Sequence, residues 1–331
     1  MINLADMLGS PVLSDELSLV RAGRRAMATQ FEVLLPVDQP LGIWAAGEAL
    51  DLIDELEEQL TVYRDHSEIS TINRTAFGTD LPVEPRLFDL LSFASALTHA
   101  TSGAFDVAMG ALIKAWGFYQ RSGMVPTVAE RSAAMQRTGM RYVILNQAAR
   151  TARFLREGLQ LNLGGIGKGY ALDRAAELLT TLCGITSGLL HGGTSSVRAI
   201  GHPPGRPAGW MVSIKHPDDE GRVLGNVSLR NMALGTSAAT YQYFVHEGKR
   251  LGHLLDPRRG WPAEGVRQAS VVAPTAAEAD ALSTAFFVMK PDEIRIYCQQ
   301  HPHIGAVILS PDAIEPIIWN LGPGQFTAAG R

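Results

Sequence analysis

Three stretches of the chain carry side chains whose types and local spacing could do chemistry. The first is Leu161-Asn-Leu-Gly-Gly-Ile-Gly-Lys-Gly-Tyr-Ala-Leu-Asp173, which reads as a strand, a glycine-rich turn and a helix from Tyr170 to Leu182. Backbone amides and one ammonium in such a turn can be aimed at the same phosphate oxygens. The Walker pattern does not fit, because Asn162 stands six positions before Lys168 and Gly169 follows it. The dinucleotide fingerprint fails too, since Tyr170 occupies the place of the third glycine. From this segment alone, a phosphate-holding turn and a tight turn with an exposed lysine stand level.

The second stretch is Thr275-Ala-Ala-Glu-Ala-Asp-Ala-Leu-Ser-Thr284, where Thr275 and Glu278 have capping-box spacing. Asp280 and Thr284 lie four apart, so a carboxylate and a hydroxyl project from one helical face, as two oxygen ligands of a hard cation do. Magnesium would need more oxygens from water, carbonyls and a substrate phosphate. Taken alone, the pair is most simply a solvated helix face. The third stretch, His253-Leu-Leu-Asp-Pro-Arg-Arg-Gly-Trp-Pro262, sets an imidazole and a carboxylate three residues apart. Histidine titrates near neutrality and can take a proton from an attacking hydroxyl, although taken alone the pattern is more simply an Asp-Pro turn beside a spectator histidine. Ser102-Gly-Ala-Phe-Asp106 adds a loop carboxylate, and Trp116 and Phe118 read as core.

The elements that must hold these residues follow from periodicity. Alternation of Phe31, Val33 and Leu35 with Gln30 and Glu32 predicts a strand over 28–36, and Leu50, Ile53, Leu56 and Leu60 an amphipathic helix over 43–60. Ser67 reads as a cap, and helices are predicted over 85–100, 129–139, 276–289 and 292–300. Strands are predicted over 142–145 with 152–154, 210–214, 225–231, 241–245 with 250–255, 268–273, 305–309 and 314–319. The 331 residues are 46% hydrophobic and 19% charged, which excludes bulk disorder. A net charge of −4 gives no global field for nucleic acid or anionic membrane. Two distant cysteines, Cys183 and Cys298, suggest neither a disulfide framework nor a zinc site. No apolar run is long enough to span a bilayer and no export signal is evident in the first residues, so the expectation is a cytoplasmic protein.

In identity and order these segments resemble the ApbE family of FAD:protein FMN transferases, from about Ala26 to Met289. The elements carrying the resemblance are Met27-Ala-Thr29, Tyr63-Arg64 with Ser67-Glu-Ile-Ser70 and Asn73, and Gly103-Ala-Phe-Asp106 with Trp116-Gly-Phe118. The series continues with Leu163 to Asp173, Gly192-Gly193, Gly235-Thr-Ser237, His253-Leu-Leu-Asp-Pro257 with Gly260, and Ala279-Asp-Ala-Leu-Ser-Thr-Ala285. The resemblance implies an α+β fold of two intermixed subdomains, largely antiparallel sheets with flanking helices. It implies an N-terminal arm over 1–25, a single domain over 26–320 and a tail over 321–331.

The activity implied is magnesium-dependent transfer of FMN from FAD to a Thr or Ser hydroxyl of an acceptor protein, with release of AMP. By position, Asp280, Thr284 and the carbonyl of Gly165 would hold Mg2+. Met27, Tyr63, Ala104, Phe105, Asp106, Lys168 and Leu254 would line the FAD site. His253 would be the base, Lys168 would stabilise charge, and Asp256 would orient His253 or a metal-bound water. Three departures from the family pattern stand out: Arg259 in place of threonine, Thr194-Ser-Ser196 in place of an acidic residue, and Ala238-Ala239 in place of a glycine. They keep open a non-catalytic flavin-binding paralogue with a remodelled pocket, and an FAD pyrophosphatase giving FMN and AMP.

Overall fold

A computed structural model describes residues 17–329 apart from 40, 121, 122, 239–242, 247 and 312. The centre is an eight-stranded sheet in the order β1 (Leu19–Ala26), β2 (Thr29–Pro36), β6 (Gly188–Gly192), β7 (Ser196–Ile200), β10 (Ala233–Ala238), β15 (Gln268–Ala273), β16 (Gly305–Leu309) and β17 (Ile317–Trp319). Every adjacent pair is antiparallel. A three-stranded sheet of β8 (Trp210–His216), β9 (Asp219–Leu229) and β18 (Phe326–Ala328) packs on one face. Smaller units are β3 (Leu81–Pro82) with β4 (Val143–Asn146) and β5 (Thr151–Phe154), the hairpin β11 (Tyr243–His246) and β12 (Lys249–Gly252), and the pair β13 (Leu255–Asp256) and β14 (Trp261–Pro262). The helices are α1 (Gly42–Leu60), α2 (Glu68–Thr75), α3 (Pro85–Ala100), α4 (Gly110–Ala115), α5 (Val128–Met135), α6 (Gly167–Thr181), α7 (Ala276–Val288) and α8 (Pro291–Gln300). This is the mixed α+β arrangement expected.

Strand alternation sorts side chains between two cores. Leu34, Leu189, Val272, Val307 and Leu309 face the three-stranded sheet and surround the buried Trp210, whose indole N–H donates to the Ile200 carbonyl at 3.1 Å. Phe31, Val33, Leu35, Leu190, Val271 and Ile308 face the helices, where α1 supplies Leu50, Ile53 and Leu56. Each such side chain contributes about 1.5–3 kcal/mol by leaving water. α7 is buried on nearly every side, its exceptions being Glu278 and Thr284. A helix so enclosed has a position fixed to within a packing tolerance, which matters because it carries the candidate ligands.

Several expectations are corrected. α6 begins at Gly167, three residues before Tyr170, so Lys168 lies in its first turn. α5 stops at Met135 rather than 139. β6 and β7 flank the Gly192-Gly193 segment at the middle of the sheet and lack the alternating pattern, because both faces are covered. β1 lies within the arm expected over 1–25, its apolar signal broken by Arg21, Arg24 and Arg25, and residues 1–16 fall outside the described residues. β18 lies within the expected tail and pairs with β9. Tyr241, Glu247 and Ala239, invoked in the strand and motif readings, also fall outside the described residues. Among the described residues no helix is long and apolar enough to cross a membrane.

α6 and α7 touch at Gly169, where a Cβ would fall on the Ala276 carbonyl, a backbone group that cannot swing aside. Gly169→Ala is therefore expected to cost about 3 kcal/mol and to lower the melting temperature by roughly 5–10 °C. Gly47 in α1 has nothing within 4 Å of its Cβ position. Gly47→Ala should raise stability by up to about 1 kcal/mol; thermal unfolding of the two variants checks both signs.

Candidate active site

The glycine turn is set by side chain-to-backbone bonds. Asn73 of α2 donates to the Leu161 carbonyl at 3.0 Å and accepts from the Leu161 amide at 2.7 Å, pinning the segment that enters the turn. Asn162 Oδ1 accepts from the Gly164 amide at 2.9 Å, and the Gly167 amide donates to the Leu163 carbonyl at 2.7 Å. Asp280 on α7 then closes the turn from the opposite side. Its Oδ2 accepts from the Gly169 amide at 2.8 Å and lies 3.7 Å from Lys168 Nζ, while Oδ1 accepts from Ser196 Oγ at 2.6 Å. The carboxylate satisfies an orphan donor at the start of α6, which is why a helix can begin on Gly-Lys-Gly.

Thr284 lies one turn further along α7. Its hydroxyl donates to the Asp280 carbonyl at 3.1 Å and sits 3.5 Å from Ser237 Oγ, which bonds Ser283 at 2.9 Å. A Cβ on Gly165 would lie 3.4 Å from Thr284 Oγ1 and 3.3 Å from the Phe105 ring. Gly165, Lys168, Asp280 and Thr284, four residues expected at the site, are thus brought together. Their donor set is one carboxylate, one hydroxyl and main-chain oxygen, which suits a hard cation. It is incomplete: among the described residues no group of three His, Cys, Asp or Glu could hold a metal. A cation here needs oxygens from its ligand, as magnesium on a diphosphate does.

The loop after α3 forms the neighbouring wall. Thr101 Oγ1 donates to the Leu97 carbonyl at 2.8 Å and accepts from the Phe105 amide at 3.2 Å. Asp106 accepts from the Ala108 amide at 2.7 Å and from the Met140 amide at 2.9 Å. Burial pushes this carboxyl up from its ordinary range, and those amides pull against the shift. Its side chain braces the loop, and Ala104 and Phe105 are themselves buried in the main core, with the Phe105 ring 3.3 Å from the Cβ position of Gly165. Trp116 is core as expected, its indole donating to the Gly260 carbonyl at 3.2 Å.

Asp256 has a partner that the sequence did not point to. Its Oδ1 accepts from the Arg258 amide at 2.9 Å and Nε at 3.0 Å, and its Oδ2 from Nη2 at 3.2 Å. Arg258 also bonds Glu293 at 3.1 Å and lies 3.5 Å from the Cβ position of Gly103, tying the turn after His253 to the Gly103–Asp106 loop. Arg259 is exposed on that turn. His253 and Leu254 are half-buried just before β13, with Leu254 packed on the main core. Met27 and Ala28 form the two-residue β1–β2 turn with φ of 47° and 61°, the mirror-image turn a tight hairpin demands. Tyr63 is 62% exposed, with its ring 4.7 Å from that of Tyr119, an apolar platform open to solvent. A cavity of about 320 Å³ lined by Val62, Asn73, Lys114, Tyr119 and Asn162 joins this platform to the glycine turn.

Ser196, Ser237 and Arg258 are polar partners that the sequence did not single out. The first two stand in quoted motifs, but only the fold shows their hydroxyls turned to Asp280 and Thr284.

Comparison with known proteins shows what the chain is similar to. A model of the ApbE family matches residues 27–308. An FAD:protein FMN transferase of Treponema pallidum is 31% identical over 281 residues, spanning 81% of this chain and 77% of that protein. One from Klebsiella pneumoniae is 28% identical over 80% of this chain and 82% of its own length. Among solved structures, an ApbE protein of Thermotoga maritima superimposes with a TM-score of 0.80 at 28% identity, covering 88% of this chain and 94% of that one. The flavinyl transferase ApbE of Pseudomonas stutzeri gives 0.79 at 26% identity, covering 91% and 94%.

Behind the site, Asp173 of α6 accepts from the Ala276 and Ala277 amides, both at 2.8 Å, and so caps α7. Arg198 Nε lies 3.3 Å away. Burial nevertheless raises the Asp173 carboxyl to about 6 and lowers the Arg198 guanidinium, each charge being penalised by loss of water. An acid whose folded pKa lies above its unfolded value favours the folded state below the unfolded pKa, and that advantage is lost as pH rises through the folded one. The unfolding free energy of the wild type relative to Asp173→Asn should therefore fall by on the order of 2 kcal/mol between about pH 4 and pH 6.5, as denaturant titrations would show.

Proposed function

The chain belongs to the ApbE family, and from that premise we propose that it transfers FMN from FAD to a Thr or Ser hydroxyl of an acceptor protein, releasing AMP. The observation that carries this reading is the convergence of Asp280 and Thr284 with Gly165 and Lys168. It sets an oxygen-rich corner and one ammonium where a diphosphate could be held between a glycine turn and a buried helix.

Asp280, Thr284 and the Gly165 carbonyl are the residues that would hold Mg2+. Bound there, the ion would neutralise charge on the nonbridging oxygens of the diphosphate. Lys168 acts on the same oxygens as a fixed positive charge, worth most as charge builds at the reacting phosphorus. His253 accepts the proton of the acceptor hydroxyl as its oxygen bonds to the flavin-side phosphorus. The bond to the bridging oxygen breaks, and that oxygen leaves with AMP. Ser196 keeps the Asp280 carboxylate from rotating, and Ser237 does the same for the Thr284 corner. Tyr63 offers an exposed aromatic face for a ring system of the dinucleotide. Arg258, by holding Asp256, fixes the turn that follows His253 rather than exchanging protons itself.

Mass spectrometry of a Thr-bearing acceptor incubated with FAD and Mg2+ should show a flavin adduct and free AMP, and chelation by EDTA should stop both. Free FMN in place of the adduct would mean that water is the acceptor. Intact FAD under all conditions would mean a binding protein. Lys168→Ala should lower kcat by about 10²-fold or more, with FAD affinity changed only a few-fold. His253→Ala should lower it by roughly 10²- to 10⁴-fold, the loss easing at high pH as the hydroxyl is deprotonated by solvent base.

A further inference from the structure

The acidic chain carries one strongly basic segment. Between residues 136 and 160 stand Arg137, Arg141, Arg150, Arg153 and Arg156, against Glu157 alone. Arg153 is paired with Asp80 at 3.5 Å. Arg137, Arg141 and Arg156 are exposed and have no carboxylate oxygen within 4.0 Å among the described residues. The acid that Arg141 senses is Asp106, which is buried and bonded to backbone amides.

These three arginines meet at one corner. Arg141 and Arg156 both lie over the Tyr142 ring, 4.6 Å and 4.9 Å from its centroid. The Leu155 amide donates to the Tyr142 carbonyl at 2.9 Å, which sets the segment before β4 beside the segment after β5. Arg137 lies along Gly158, with Cδ 3.1 Å from the Cβ position there. Like charges repel, so a cluster held against an aromatic ring without counter-charge is suited to an anionic partner.

The corner is tied to the candidate site at two points. The Gly139 amide donates to the Ala108 carbonyl at 2.9 Å, and the Met140 amide donates to Asp106, so the corner is continuous with the Gly103–Asp106 loop. In the other direction the chain runs back from Arg137 into α5, which carries Arg131, whose guanidinium lies 4.8 Å above the Trp261 ring. Arg131 Cγ is 3.6 Å from the Cβ position of Gly260, in the turn carrying the exposed Arg259 and following His253. A basic band thus joins the corner to the turn beside the proposed base.

We propose that this band, made by Arg137, Arg141, Arg156, Arg131 and Arg259, is the docking surface for an acidic segment of the protein acceptor. It draws that segment in so that its hydroxyl is presented near His253. The proposal rests on the transferase reading and gives Arg259, which replaces the family's threonine, a role outside the cleft.

The probe is a fluorescent 15-residue peptide with one Thr among Asp and Glu residues, compared by anisotropy with the same peptide bearing Lys in their place. The full chain should bind the acidic peptide only, and raising NaCl from about 50 to 300 mM should weaken it roughly tenfold. The triple variant Arg137→Gln/Arg141→Gln/Arg156→Gln should lose about tenfold in peptide affinity, with FAD affinity unchanged and the rise confined to acceptor KM rather than kcat. Equal binding of both peptides would overturn the proposal, as would a salt-independent affinity or a triple variant equal to wild type. So would capture of phosphatidylserine vesicles or an oligonucleotide by the band in preference to the acidic peptide. Because anisotropy needs no turnover, a chain inert towards FAD refutes the transferase reading, and a chain indifferent to peptide charge refutes this one.

Discussion

The close approach of α7 to the start of α6 is the constraint on which the site depends. At Gly169 the two helices are near enough that no side chain fits, and the same approach lets the Asp280 carboxylate reach the Gly169 amide at 2.8 Å. One contact therefore does two things. It satisfies a helix-initiating amide that would otherwise be buried unpaired, and it delivers a carboxylate and the hydroxyl of Thr284 to the glycine turn. Asp173 repeats the arrangement in reverse, running from α6 to the first amides of α7. The pair is locked by reciprocal carboxylate-to-amide bonds, so neither helix can slide without breaking the other's cap.

Such a lock has a chemical consequence. A carboxylate that already accepts an amide and a hydroxyl has its rotation fixed, and only part of its lone-pair capacity remains for anything else. The site is poor in charge for its purpose, with one carboxylate and one ammonium 3.7 Å apart. It would hold a divalent ion weakly on its own and more strongly once a diphosphate adds its oxygens. Metal and dinucleotide would then favour each other's binding, and the empty protein would not need to carry a standing cluster of acids. The hydroxyls of Ser196, Ser237 and Ser283 fit this economy, since they orient the ligands without adding charge.

How much of this is legible in the sequence differs by element. Helices with one buried face, such as α1 and α3, are written in three- and four-residue spacing and can be placed within a residue or so. β6 and β7 cannot, because strands covered on both sides carry no alternation and here include Gly188, Gly192 and Ser196. The start of α6 is misjudged for a related reason. Gly-Lys-Gly opposes helix formation locally, and the bond that overrides it comes from Asp280, 111 residues away. The ligand pair on α7 is visible as an i,i+4 pattern, but its value depends on what α7 faces, which no local pattern states. The order of motifs carries that information, because it reflects a fold in which distant segments meet.

The case of Asp256 shows the limit of reading chemistry from spacing. A His and an Asp three residues apart suggest a shared proton, and the fold adds a partner that spacing does not show, since the carboxylate is held through both its oxygens by Arg258, two positions on. The guanidinium suits this place because it is always charged and offers a fork matched to a carboxylate. The result is a rigid turn cross-linked to α8 through Glu293 and resting on the Gly103–Asp106 loop. In this turn the first arginine is structural and the second, Arg259, is exposed. A substitution at the second position can change what the turn presents to a partner without disturbing the clamp that holds His253's neighbourhood in place.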